Sequence, residues 1–151
     1  MRMQVTPNAW SCLPTAFAIA LEVPLAEVLE GIGHDGSEVA WPDLPEPLRR
    51  RAFHIQELVL FAFRRSAWVI PFDALPTQIG AHGVTPLLCE YGFEEILRSN
   101  FGVLTGLNYA EQRHAVAWDG REIWDPNGRC YSPEDFHIET FWAIKSAEKF
   151  S

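Results

Sequence analysis

A mixed helix-and-strand fold follows from three features of the sequence. An apolar, alanine-rich run of helical character, Leu13 to Leu21, lies near the start. Two strand-like runs, His114 to Trp118 and Arg121 to Asp125, flank an Asp119-Gly120 turn signal late in the chain. At 151 residues and 48% hydrophobic content, one domain, spanning 1–151, buries a core without disulfides or metals. No repeat or interdomain linker interrupts it.

The elements follow in order. The first helix begins at or beside Cys12, because Ser11 suits the cap position and Pro14 is acceptable only in the first turn; it runs to about Glu22. A second helix covers Pro24 to Glu30, ended by Gly31. His34 to Pro47 reads as loop around Trp41. Helical periodicity returns from Pro47 to Arg65, where Leu48, Ala52, Ile55, Leu58, Val59 and Ala62 share a face. Trp68-Val69-Ile70 reads as a strand, Thr85-Pro86-Leu87-Leu88 fits either type, and Phe93 to Ser99 reads as a short helix. Phe101 to Asn108 is a strand leading into the hairpin, and Phe141 to Lys145 the last one.

The hairpin carries a chemical signal. Asp-Gly favours a two-residue type I′ turn, which pairs Trp118 with Arg121, Val116 with Ile123 and His114 with Asp125. Directly opposed side chains leave the same sheet face with Cβ atoms about 4.5–5.5 Å apart, so the carboxylate reaches the imidazole. Asp125-Pro126-Asn127-Gly128 then closes the second strand, since proline cannot donate to a ladder. Far upstream, Cys12 sits at the start of the first helix, where free N–H groups and the helix dipole favour a thiolate. A cysteine followed in the chain by a histidine and an aspartate supplies a nucleophile, a base and an orienting carboxylate. Taken singly, each residue has an ordinary structural explanation: a small buried hydrophobe, a sheet histidine, a turn aspartate. The cross-strand coincidence makes catalysis the better reading.

These residues resemble the papain-like cysteine peptidases, most closely the bacteriocin-processing C39-like branch. The matching positions are Cys12 behind a short N-terminal segment, His114 with its following Ala-Val-Ala-Trp, and Asp125-Pro126 closing the next strand. The resemblance implies an α+β fold, with the helix carrying the cysteine packed on an antiparallel sheet and the active site at their junction. It covers both ends of the chain, while roughly residues 33–90 match nothing in the family. It also implies a glutamine that stabilises the oxyanion. Gln4 lies eight residues before Cys12, where the family spacing is about six, so either the loop holding Pro7 is longer or Asn8 takes the role, with Gln4 preferred.

Charge and cysteine usage narrow the class. The net charge of −8 repels nucleic acid and anionic membrane at long range. Arg49-Arg50-Arg51 and Arg64-Arg65 are local exceptions that read as solvated helix faces. Cys12, Cys89 and Cys130 form no CxxC motif and leave an odd thiol, which suits a reducing compartment and a free nucleophile. His54 and Glu57 form an isolated H-x-x-E, too little for zinc, and no metal or cofactor is implied. The apolar stretch after Arg2 is too short and too broken for a secretion signal, and none reaches a membrane span, so a soluble, cytoplasmic protein is expected.

The sequence thus points to a cysteine hydrolase of peptide or amide bonds, with catalytic residues Cys12, His114, Asp125 and Gln4 and a peptide or protein as substrate. Acyl transfer or amidase chemistry uses the same order of residues and stays open. So does a non-catalytic binding or inhibitory protein whose acidic, aromatic middle segment contacts a protein partner.

Overall fold

A computed structural model describes residues 1–8, 10–34, 53–74 and 86–146, with side chains of the helix beginning at Pro86 described from Gly92 onward. Helix α1 (Cys12–Leu21) starts where the cap signal places it, with Ser11 in the N-cap position. The Ser11 hydroxyl makes no cap bond there; its carbonyl instead accepts from the Thr15 N–H at 3.1 Å and the Thr15 hydroxyl at 2.7 Å. Every residue from Pro14 to Ala20 is buried. Such a helix lies inside the molecule, and full burial of Phe17 or Ile19 contributes about 1.5–3 kcal/mol each. Glu22, in the left-handed region at φ 59°, stops it.

Helix α2 (Leu25–Ile32) runs past Gly31 and ends at Gly33, which holds φ 71°. Gly31 is a packing glycine rather than a stop, because a Cβ there would lie 2.5 Å from the Phe61 ring. Helix α3 (Ile55–Arg64) carries Leu58, Phe61 and Ala62 into the core. The expected stretch from Pro47, with Leu48 and Ala52, lies outside the described residues up to 52, as do most of the His34 to Pro47 loop and Arg49 to Arg51. The H-x-x-E pair opens this helix: the Glu57 carboxylate accepts the His54 N–H at 3.3 Å, an orphan donor of the first turn. Arg64 donates to the Gly31 carbonyl and Arg65 pairs with Glu27 at 3.0 Å over the Phe61 ring. The two arginines therefore join α3 to α2.

The described strands are β1 (Ala67–Asp73), β2 (Phe101–Leu107), β3 (Arg113–Trp118), β4 (Ile123–Asp125), β5 (Arg129–Tyr131) and β6 (His137–Ser146), in spatial order β1-β6-β2-β3-β4-β5. All pairings are antiparallel. Helix α4 (Pro86–Ser99) precedes β2, so Thr85 to Leu88 resolves as helix from Pro86 and the short helix begins seven residues early. The protein is α+β. Ala115 and Ala117 meet α1 to α3 on one sheet face, while Val116, Trp118 and Ile123 pack with Leu97 and Phe136 on the other. Among the described residues, no single helix is long and apolar enough to cross a membrane.

The β3–β4 register departs from the expected one. Trp118 pairs with Ile123 and Ala117 with Trp124, leaving a four-residue loop, Asp119 to Glu122. The cause is the Asp119 side chain, whose carboxylate accepts the N–H groups of Arg121 at 2.8 Å and Glu122 at 2.6 Å. Only Gly120 adopts positive φ, at 97°, whereas a type I′ turn requires it at both central residues. The register shift is two residues. Parity survives, so His114 and Asp125 still share a face, as diagonal rather than opposed neighbours.

Candidate active site

The N-terminal arm brings Cys12 to the hairpin. The Thr6 N–H donates to the Pro126 carbonyl at 2.7 Å, which ties the arm to the turn that follows Asp125. The Thr6 hydroxyl donates to the Asn8 carbonyl at 2.7 Å, and Trp10 N–H to the Asn8 side-chain oxygen at 3.3 Å. These bonds shape the loop that ends at Cys12. Cys12, His114 and Asp125 then line one cavity of about 610 Å³.

Asp125 is held from three directions. His114 Nε2 lies 2.8 Å from Oδ1, the Asn127 N–H donates to the same oxygen at 2.9 Å, and the Tyr131 hydroxyl donates to Oδ2 at 2.5 Å. Its side chain is 3% exposed and that of His114 17%, so the pair is largely shielded from water. Burial alone would raise the Asp125 pKa, but the bonds from His114, Tyr131 and Asn127 outweigh it and hold the carboxyl below its usual range. For His114, burial works to lower the pKa. Hydrogen bonds to Asp125 and to Cys12 prevail and push it up to about 9. With Nε2 on Asp125, Nδ1 is the nitrogen available to Cys12. The imidazolium is thus the favoured form at neutral pH, between a carboxylate and a sulfur.

Tyr131 was not singled out from the sequence. The strand β5 places it across from Ile123, and hence diagonal to Asp125 on the same face. Burial and the Asp125 carboxylate push its phenol well above the usual range, so it remains a donor. The available signal was the Pro126-Asn127-Gly128 loop: Gly128 at φ 96° closes a three-residue hairpin, which returns the chain two residues beyond the strand end. Gly106, the cross-strand partner of His114, was missed too. The β2–β6 ladder shifts register beside it, and a Cβ there would meet the His137 carbonyl oxygen at 2.0 Å. A bulge of this kind re-aims neighbouring side chains.

Gln4 is not in the cavity. Its side-chain nitrogen donates to the Val23 carbonyl at 2.7 Å and its oxygen accepts the Leu25 N–H at 2.8 Å. Both ends of the amide are spent on the α1–α2 corner, where Pro24 donates nothing, so Gln4 does not aim a donor at an oxyanion. The Cys12 and Leu13 N–H groups lie in the first turn of α1, where position leaves them no intrahelical acceptor. Cys130, on β5, is exposed, while Cys89 falls on α4. Among the described residues no group of three or more His, Cys, Asp or Glu is placed to hold a metal ion.

Comparison of the chain with family models, with curated proteins and with solved structures gives no match. The functional reading therefore rests on the site itself.

Proposed function

We propose that this chain is a papain-like cysteine hydrolase, similar to the C39-like peptidases, that cleaves peptide bonds through an acyl-enzyme. The observation that carries the reading is the convergence of Cys12, His114, Asp125 and Tyr131 on one cavity, with Asp125 bonded to both His114 and Tyr131. Cys12 Sγ attacks the scissile carbonyl carbon and forms a tetrahedral oxyanion, which the Cys12 and Leu13 N–H groups receive. His114 gives its proton to the departing amine as the carbon–nitrogen bond breaks. It then takes a proton from water as the hydroxide oxygen bonds to the acyl carbon, and returns it to sulfur when the thioester opens. Asp125 keeps its charge throughout, fixing the ring and stabilising the imidazolium. An amine acceptor in place of water would turn the same steps into acyl transfer. A thiol nucleophile suits a reducing compartment and fits a cytoplasmic enzyme.

A non-catalytic, partner-binding role draws on one observation, the commitment of the Gln4 amide elsewhere. Alkylation separates the two readings. At roughly pH 6 an ordinary thiol is almost wholly protonated, so iodoacetamide should label Cys12 far faster than Cys130. Cys130 is a suitable internal control, because burial and the Glu122 and Asp119 carboxylates raise its pKa. Equal labelling of the two would count against catalysis. Digestion of a peptide library, with Cys12→Ala as the control, then identifies the bonds cleaved; products that persist in Cys12→Ala would remove the proposal.

A further inference from the structure

Arg129 opens β5 directly across the ladder from Asp125. Opposed residues of opposite charge on adjacent strands ordinarily attract one another. Here no ion pair forms, because both Asp125 oxygens are already occupied by His114, Asn127 and Tyr131 and the carboxylate is buried. Arg129 is exposed; its backbone N–H donates to the Asn127 side chain at 3.0 Å, and among the described residues its guanidinium has no hydrogen-bond or ion-pair partner. Arg129 nonetheless lines the cavity of Cys12 and His114, and its charge is felt at the Tyr131 hydroxyl there. The other cavity arginine, Arg113, is engaged by Glu139 at 3.1 Å. Asp135 supplies one opposing charge to the same cavity, and the charges of Asp135 and Arg129 both act on Tyr131, in opposite senses.

A guanidinium with five donors and no acceptor, beside a nucleophile, is a receptor for a carboxylate. We infer that Arg129 is a specificity-determining residue that selects peptides with an Asp or Glu side chain flanking the scissile bond. The inference rests on the hydrolase reading of the site. The molecule as a whole carries −8 and repels anions at long range, so any preference for an anion at Cys12 has to arise from cations inside the cavity.

Paired alkylating agents test this without a known substrate. Iodoacetate and iodoacetamide react alike, with sulfur bonding to the methylene carbon as iodide leaves, but only iodoacetate carries a carboxylate beside the reacting carbon. The ratio of their rates at Cys12, iodoacetate over iodoacetamide, should exceed the ratio at Cys130. Arg129→Gln should lower the Cys12 ratio about 3- to 10-fold, the loss expected from removing one charge a short distance away in a partly screened cavity, and Arg129→Lys should retain most of it. Library digestion should show enrichment of Asp or Glu next to the cleaved bond, lost in Arg129→Gln. An unchanged ratio in Arg129→Gln, with Cys12 still labelled selectively by iodoacetamide, overturns the role of Arg129 and leaves the hydrolase standing. Cys12 labelled no faster than Cys130 by iodoacetamide overturns both.

Discussion

Asp119 opens the turn before β4 and Asp125 ends that strand, and their surroundings look alike at first. Each carboxylate collects three donors: Asp119 takes the N–H groups of Arg121 and Glu122 and the Trp124 indole at 2.8 Å, and Asp125 takes His114, Asn127 and Tyr131. In both, burial would raise the pKa and hydrogen bonds lower it. The difference lies in what the donors are. Those of Asp119 are backbone and indole groups that do not change charge, and they shape a turn. One donor of Asp125 is an imidazole that hands its other nitrogen to a thiol. A lowered carboxylate pKa is therefore no mark of function by itself; a titratable partner that leads onward is.

Exchanging each carboxylate for an amide or methyl sharpens the contrast. Asp125→Asn should reduce kcat by about 10²–10⁴ with little change in fold, since an amide does not stabilise the imidazolium and offers the wrong tautomer a bond. Near-full turnover of a cleaved peptide by Asp125→Asn would make Asp125 only a turn residue. Tyr131→Phe removes the donor to Oδ2 and leaves that buried lone pair unpaired, so kcat should fall roughly 10-fold. Its kinetic effect should vanish in an Asp125→Asn background, which a double-mutant cycle reads directly.

The pH dependence follows from His114. Its pKa rises from 6.5 to about 9, so the folded protein holds this proton more tightly than the unfolded chain does. The stabilisation is complete below pH 6.5 and is lost as pH climbs through about 9. Thermal midpoints should fall across that window, and turnover should decline with an apparent pKa of about 9, because the leaving amine then lacks its proton donor. In Asp125→Asn the alkaline limb should move to lower pH. A limb that stays in place would mean that Asp125 does not hold the imidazolium.

The smallest effects belong to the structural side chains. Asp119→Ala should cost about 0.5–1.5 kcal/mol in denaturant unfolding, since its turn hydrogen bonds are exposed and water replaces them in part, while kcat stays near wild type. Gln4→Ala should behave likewise, losing stability at the α1–α2 corner on the order of 1 kcal/mol. A kcat loss of about 10²-fold in Gln4→Ala would return Gln4 to the oxyanion role.

Much of the site was legible because alternation is robust. An error of two residues in the hairpin register left His114 and Asp125 on one face, whereas an error of one would have separated them. The start of α1 was equally legible, since Ser11, Cys12 and Pro14 are local signals that tertiary contacts did not override. The end of α2 was not. Gly31 looks like a stop in one dimension, and its reason for being glycine is the Phe61 ring on another helix.

Local chemistry in the chain determined the order of cysteine, histidine and aspartate, the face that the last two share, and the helix that begins at the cysteine, because caps, proline and strand parity act over a few residues. Only the tertiary structure decided which amide serves a helix corner, which tyrosine completes the carboxylate, and how the arm from Thr6 to Cys12 is fastened to the Asp125-Pro126 turn. A glutamine side chain takes whichever donor and acceptor the fold brings within about 3 Å, and spacing along the chain carries no record of that.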